Sequence, residues 1–215
     1  MKKHLLWLCV IIGLLCSSAS RISYSSCQIE AKKETIDLVI LHMNDTHGHL
    51  YPFNYKGRDD VGGTARLSTL IKTIREENKN CTLVFHAGDI FSRGGPLTVY
   101  YAGKVNMLAM DMIGYDAFVP GNGEFYTLVD NLIKQTSRVS FPTVLANVFY
   151  KNSSERLYPP YTILEDAGLR VGILGLGFIR ENHPSAWALE YQDPVEAARE
   201  FVPYLKENTD LVIAL

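Results

Sequence analysis

The sequence predicts an α/β fold with a largely parallel sheet. Two observations carry the prediction. Short apolar runs, each long enough for a buried strand, alternate with stretches whose apolar residues recur at helical spacing. Polar, glycine-rich sequences follow three of the predicted strands, where open α/β sheets gather their chemistry.

In order, Ile36–Met43 reads as a mostly buried strand. Thr64 is placed as the N-cap of a helix carrying Leu67, Leu70, Ile71 and Ile74 on one face. Cys81–Phe85 is a second strand. Val105, Leu108, Ala109 and Met112 mark a second amphipathic helix, closed by Gly114. Asp116–Pro120 is a third strand, a helix spans about 127–137, and Thr143–Val148 is a fourth strand. Tyr161–Glu165 and Leu169–Leu174 flank Asp166-Ala167-Gly168 and read as a hairpin. Asp193-Pro194 caps and starts a last helix, with Val195, Ala198, Val202 and Leu205 on one face and a kink expected at Pro203. Thr209–Leu215 is a final strand.

Composition narrows the class. With 215 residues, 47% hydrophobic and 20% charged, the chain has the apolar content of a folded domain. A net charge of −2 gives no global positive field, so no nucleic-acid partner is expected. Four scattered cysteines suggest neither a disulfide scaffold nor a zinc ribbon. Cys27 and Cys81 would be free to pair in an oxidising compartment, although their spacing does not demand it.

The first residues are read as a targeting segment. Lys2 and Lys3 precede an apolar run, Leu5–Cys16, which is shorter than the ~20 residues of a membrane-spanning helix. Ser18-Ala19-Ser20 then offers a cleavage site, so residues 1–20 are expected to be a secretory signal and 21–35 a linker. The expected location is outside the cytoplasm, secreted or periplasmic. Cys27 as a lipid-attachment site is the alternative.

Three loops hold the candidate chemistry. Asn44-Asp45-Thr46-His47-Gly48-His49 puts a carboxylate and an imidazole two residues apart, on one side of an extended backbone, as a metal site needs. Ala87-Gly88-Asp89 follows Leu83-Val84-Phe85. Gly121-Asn122-Gly123-Glu124-Phe125 follows Phe118-Val119-Pro120. His42 and His86 are read as structural, Glu124 as a structural hydrogen-bonding group, and Gly172-x-x-Gly175-x-Gly177 as a packing turn.

In these residues the chain resembles the calcineurin-like metallophosphoesterases, and more narrowly the 5′-nucleotidase / 2′,3′-cyclic phosphodiesterase group. Gly62-Gly63-Thr64-Ala65-Arg66-Leu67, Gly94-Gly95-Pro96-Leu97 and Met112-Ile113-Gly114-Tyr115-Asp116-Ala117 agree, and the resemblance runs from about residue 36 to 215. It implies the first βαβ half of an αββα sandwich, hence an incomplete fold. It also implies two divalent metals that clamp a phosphate ester and activate water, with nucleotides as the substrate class. Carried over by motif, Asp45 and His47 hold the first metal and Asp89 bridges both. Asn122 binds the second metal and touches the substrate phosphate. The ion could be Zn, Mn, Fe, Mg or Ca.

Two departures temper that expectation. The family motif reads Gly-Asn-His-Glu-Phe-Asp, and here Gly123 and Tyr126 occupy the histidine and aspartate positions, so no catalytic residue is assigned. Later family histidines and the C-terminal nucleotide-binding domain have no counterpart in residues 36–215. At most one metal ion is therefore expected, with little catalysis by this chain alone. Rival expectations are a non-catalytic binding module, a truncated product, or a half completed by a second polypeptide.

Overall fold

A computed structural model describes residues 36–78, 81–166, 168–180 and 182–215. The expected signal, the linker and Cys27 lie outside them. Two three-stranded sheets organise the chain. The first has the order β1 (Val39–Met43), β4 (Thr82–His86), β5 (Ala117–Phe118), all parallel. The second has β10 (Leu211–Ala214) parallel to β8 (Leu169–Leu174), which pairs antiparallel with β7 (Tyr161–Asp166). The predicted hairpin at 166–168 is this β7–β8 connection. The single largely parallel sheet read from the strand–helix alternation is thus two sheets, as the sandwich resemblance implied: the first wholly parallel, the second with one parallel and one antiparallel pair.

Between β1 and β4 lie a small hairpin, β2 (Phe53–Tyr55) and β3 (Arg58–Val61), and helix α1 (Thr64–Glu77). After β4 come α2 (Pro96–Tyr100) and α3 (Lys104–Ile113). After β5 come the one-turn α4 (Asn122–Phe125) and α5 (Val129–Thr136). β6 (Val148–Tyr150) pairs with β9 (Leu189–Tyr191), and α6 (Pro194–Asn208) precedes β10.

Several expectations are corrected. β1 is not mostly buried: Ile40 and His42 are exposed while their neighbours face inward, the alternation of a half-covered strand. Thr64 is the first residue of α1 rather than its cap, because Gly63 at φ 94 makes the turn that starts the helix. In α3 the inward residues are Asn106, Met107, Met110 and Ile113, whereas Met112 is exposed. In α6 Leu205 is buried and Ala198 and Val202 pack against the core as expected, whereas Val195 is exposed and Ala197 is buried instead. Residues 143–147 form no strand. Thr143 makes one isolated bridge to Phe118, and Asn147 instead bonds Gly177 through both ends of its amide. The hairpin β2–β3 and strand β9 were not predicted, since three- and four-residue strands leave no usable period.

Two local expectations hold. Gly114 closes α3 in the left-handed conformation, and the Asp193 carboxylate accepts bonds from the Val195 and Glu196 amides at the start of α6. The helix continues through Pro203. The 172–177 glycines pack closely. A side chain at Gly175 would meet the Val144 carbonyl oxygen at 2.2 Å, and one at Gly177 would meet Leu145. That leaves no opening for a nucleotide. The main core gathers Val84, Phe85, Phe118, Met107, Leu145 and Ile173 between the sheets and helices. Cys81 is disulfide-bonded, and its suggested partner Cys27 is outside the described residues.

Candidate metal centre

The carboxyl ends of β1, β4 and β5 lead into three loops that lock together through backbone groups. The Asp45 amide donates to the Gly88 carbonyl at 3.0 Å and the His47 amide to the Asp89 carbonyl at 2.9 Å. These two bonds bind the first loop to the second. Glu124 binds the second to the third. Its fully buried carboxylate accepts the amides of Asp89, Ile90, Phe91 and Gly121. Burial pushes this carboxyl up to about 7, although all four amides pull it down.

Glycine permits the approach. A side chain at Gly88 would sit 2.0 Å from the Gly121 nitrogen, and its φ is +86. His86, at the end of β4, braces the same region. The Gly88 amide donates to its Nδ1, so its Nε2–H donates to Thr46 Oγ1 at 3.2 Å. Burial drives this imidazole down to about 3, against the upward pull of Asp45.

On this frame Asp45, His47 and Asp89 converge. One ligand atom from each lies within 4.8 Å of the others. All three have positive φ (52°, 43° and 59°), a strained conformation for non-glycine residues that often marks a working site. His47 Nε2 lies 3.4 Å from Asp45 Oδ1, and its other nitrogen is 3.1 Å from Ser92 Oγ. Asn44 donates to the second Asp45 oxygen, and the Gly123 amide donates to Asp89 Oδ1 at 2.6 Å. Carboxylate and imidazole donors at this spacing suit a divalent cation.

Asn122 opens α4 between Gly121 and Gly123, both packed against the Asp89 carboxylate. Its Nδ2 donates to the Tyr126 hydroxyl at 2.9 Å. Tyr126 in turn packs against His183, ring centroids 4.5 Å apart, and the Arg180 guanidinium lies over the Tyr126 ring, 6.0 Å from its centroid. At Gly123 a Cβ would meet Ser92 Oγ at 2.7 Å and Asp89 Oδ1 at 2.9 Å. The serine that steadies His47 therefore occupies the space beside Gly123. Ser92 and His183 were missed as neighbours of the site: nothing in a serine's identity marks it as a partner of His47, and His183 reaches Tyr126 only in space.

A family model of calcineurin-like phosphoesterases matches residues 38–213. A 5′-nucleotidase of Vibrio cholerae is 30% identical over 224 residues, an alignment that spans all of this chain and 40% of that protein. The UshA protein of Escherichia coli is 29% identical over 84% of this chain and 34% of its own length. Among solved structures, a 5′-nucleotidase precursor from Thermus thermophilus superposes with a TM-score of 0.71 at 30% identity, covering 82% of this chain and 36% of its own. The chain thus spans about two fifths or less of these relatives. The family model spans residues 38–213, most of the chain: the chain belongs to the calcineurin-like phosphoesterase family.

Proposed function

We propose that Asp45, His47 and Asp89 hold one divalent cation, and that the site's ancestral chemistry is hydrolysis of a phosphate ester, with nucleotides as the substrate class. The convergence of those three side chains carries the reading. The residues fit the group. Two carboxylates offset the ion's charge, and His47, with Nδ1–H donated to Ser92, presents the Nε2 lone pair beside Asp45. When bound, such an ion acidifies a coordinated water and polarises a phosphoryl oxygen.

The chain's own residues do the rest. Tyr126 holds the Asn122 amide nitrogen, which leaves the Asn122 carbonyl oxygen for an ion or its amide edge for a phosphate. Glu124 fixes the Asp89 and Gly121 backbones and so sets the distance between the second and third loops. Gly123 contributes an amide but no side chain, so it can hold Asp89 and cannot protonate a leaving alkoxide. General-acid help is typically worth ~10²–10⁴-fold. Turnover by this chain should therefore depend on the leaving group. A binding module that keeps the cation and loses the chemistry is the second reading, and Gly123 and Tyr126 favour it.

Hydrolysis of AMP and of a nitrophenyl phosphate by the 215-residue chain tests the proposal. The aryl ester needs no protonation and should be cleaved faster than AMP, with both slow. Robust AMP hydrolysis that Asp89→Asn abolishes would overturn the reading of Gly123. We also propose export with removal of about residues 1–20. An intact Met1 in N-terminal sequencing of the native protein would contradict it.

A further inference from the structure

Below the first metal loop lies a cavity of about 440 Å³ between that loop, the β2–β3 hairpin, α1 and α3. Its origin is visible in how α1 docks. Near the C-terminal end of α1, the Arg75 guanidinium donates to the Ile113 and Gly114 carbonyls and pairs with Asp116. Ile71 and Arg75 are its buried residues. Toward the N-terminal half of α1, Leu67 packs against the edge of the core and, with the exposed Leu70, also lines the cavity. Apolar walls come from Leu50, Phe53, Leu67, Ile90, Met110 and Ile113.

One polar group in that wall has no partner. Asn106, on the inward face of α3, is 6% exposed, and its Oδ1 is buried without a hydrogen bond. A buried carbonyl left unpaired is unfavourable, because it has given up water without gaining a donor, so the position favours a ligand that fills it. His86 also reaches the cavity, but both its nitrogens are already engaged. An apolar cavity with one unsatisfied polar group is the usual form of a small-molecule site.

The geometry points to a ligand site in this cavity for a small, mostly apolar molecule with an amide-type edge. The ligand's N–H donates to Asn106 Oδ1, and the adjacent acceptor meets the Asn106 amide nitrogen on the same planar group. Its apolar body lies among Leu67, Met110 and Ile113. Simple carboxamides and nucleobases share that edge. The site touches Asp45 at its upper rim, yet it binds through Asn106 and needs no metal.

The test uses the full chain with carbon-13-labelled methionine methyls, in EDTA so that no cation contributes. Benzamide, adenine and toluene are the probes. Benzamide or adenine should shift the Met110 methyl at millimolar concentration and leave Met43 unmoved. Asn106→Leu should weaken that binding at least 10-fold while toluene binds as well or better. Leu67→Trp, which fills the cavity from α1, should abolish binding of all three probes. Adenine binding 10-fold tighter than benzamide would assign a nucleobase site; the reverse would assign a carboxamide site. No movement of Met110 by either amide probe, or equal affinity in Asn106→Leu, would overturn the proposal.

Discussion

At Asp89 a single carboxylate receives the Gly123 amide and faces Asp45 and His47. Its candidacy as a ligand was readable from Gly88-Asp89 at a strand end. Its left-handed backbone was not, since nothing in an aspartate's identity announces φ 59. Tyr126 shows the opposite case. As a departure from a motif it looked like a loss, but in space its hydroxyl anchors Asn122. Tyr126→Phe should therefore weaken cation binding about 3- to 10-fold with little change in unfolding free energy, measured by metal titration beside a denaturant curve. If Asn122 takes no part, affinity will not move.

His86 makes the second residue-scale prediction. Its folded pKa of about 3 lies below the ordinary value of 6.5. Between those limits the unfolded chain binds the proton and the folded chain does not. Stability is therefore fully present above about pH 6.5 and is lost as pH falls toward 3. In EDTA, His86→Gln should lose about 2–3 kcal/mol less than the parent between pH 7 and 4. Parallel stability-against-pH curves would show that His86 does not titrate this way.

At the scale of elements, the three loops behave as one unit because backbone amides tie each to the next. Gly88 is the tightest point. Gly88→Ala must place a methyl 2.0 Å from the Gly121 nitrogen and hold alanine at positive φ. It should cost about 3 kcal/mol or more, read from urea unfolding, and should also reduce cation binding because both loops shift. Wild-type stability in that variant would mean the loops are not coupled. Glycine at these turns was legible in sequence. The four-amide grip of Glu124 was legible only as a structural hydrogen-bonding role, because its partners lie 33 to 35 residues away in one case and three in the other.

The same contrast runs through the helices. Gly114 and Asp193 gave their ends correctly, since caps are local chemistry. The inward face of α3 was misplaced, whereas that of α6 was right apart from Val195. The apolar residues of α3 run around much of its circumference, and only packing decides which are covered. Residues 143–147 read as a strand for a similar reason: they are largely buried, but they pair as single bridges and side-chain bonds rather than as a ladder.

For the whole molecule, the parallel strands β1, β4 and β5 of one sheet bring three strand ends to one edge, and Asp45, His47 and Asp89 converge there. For the second ion that the family resemblance implies, the motifs offer only Asp89 and Asn122. One ion, held weakly, is the expectation that follows. No described helix is long and apolar enough to cross a membrane.

Calorimetric titration of the metal-stripped chain with Mn²⁺ tests the central claim most directly. The account predicts one ion per chain, lost on mild dialysis, with binding abolished by Asp89→Asn and weakened by His47→Ala. Two tightly held ions per chain, or a single ion whose affinity ignores Asp89→Asn, would contradict it.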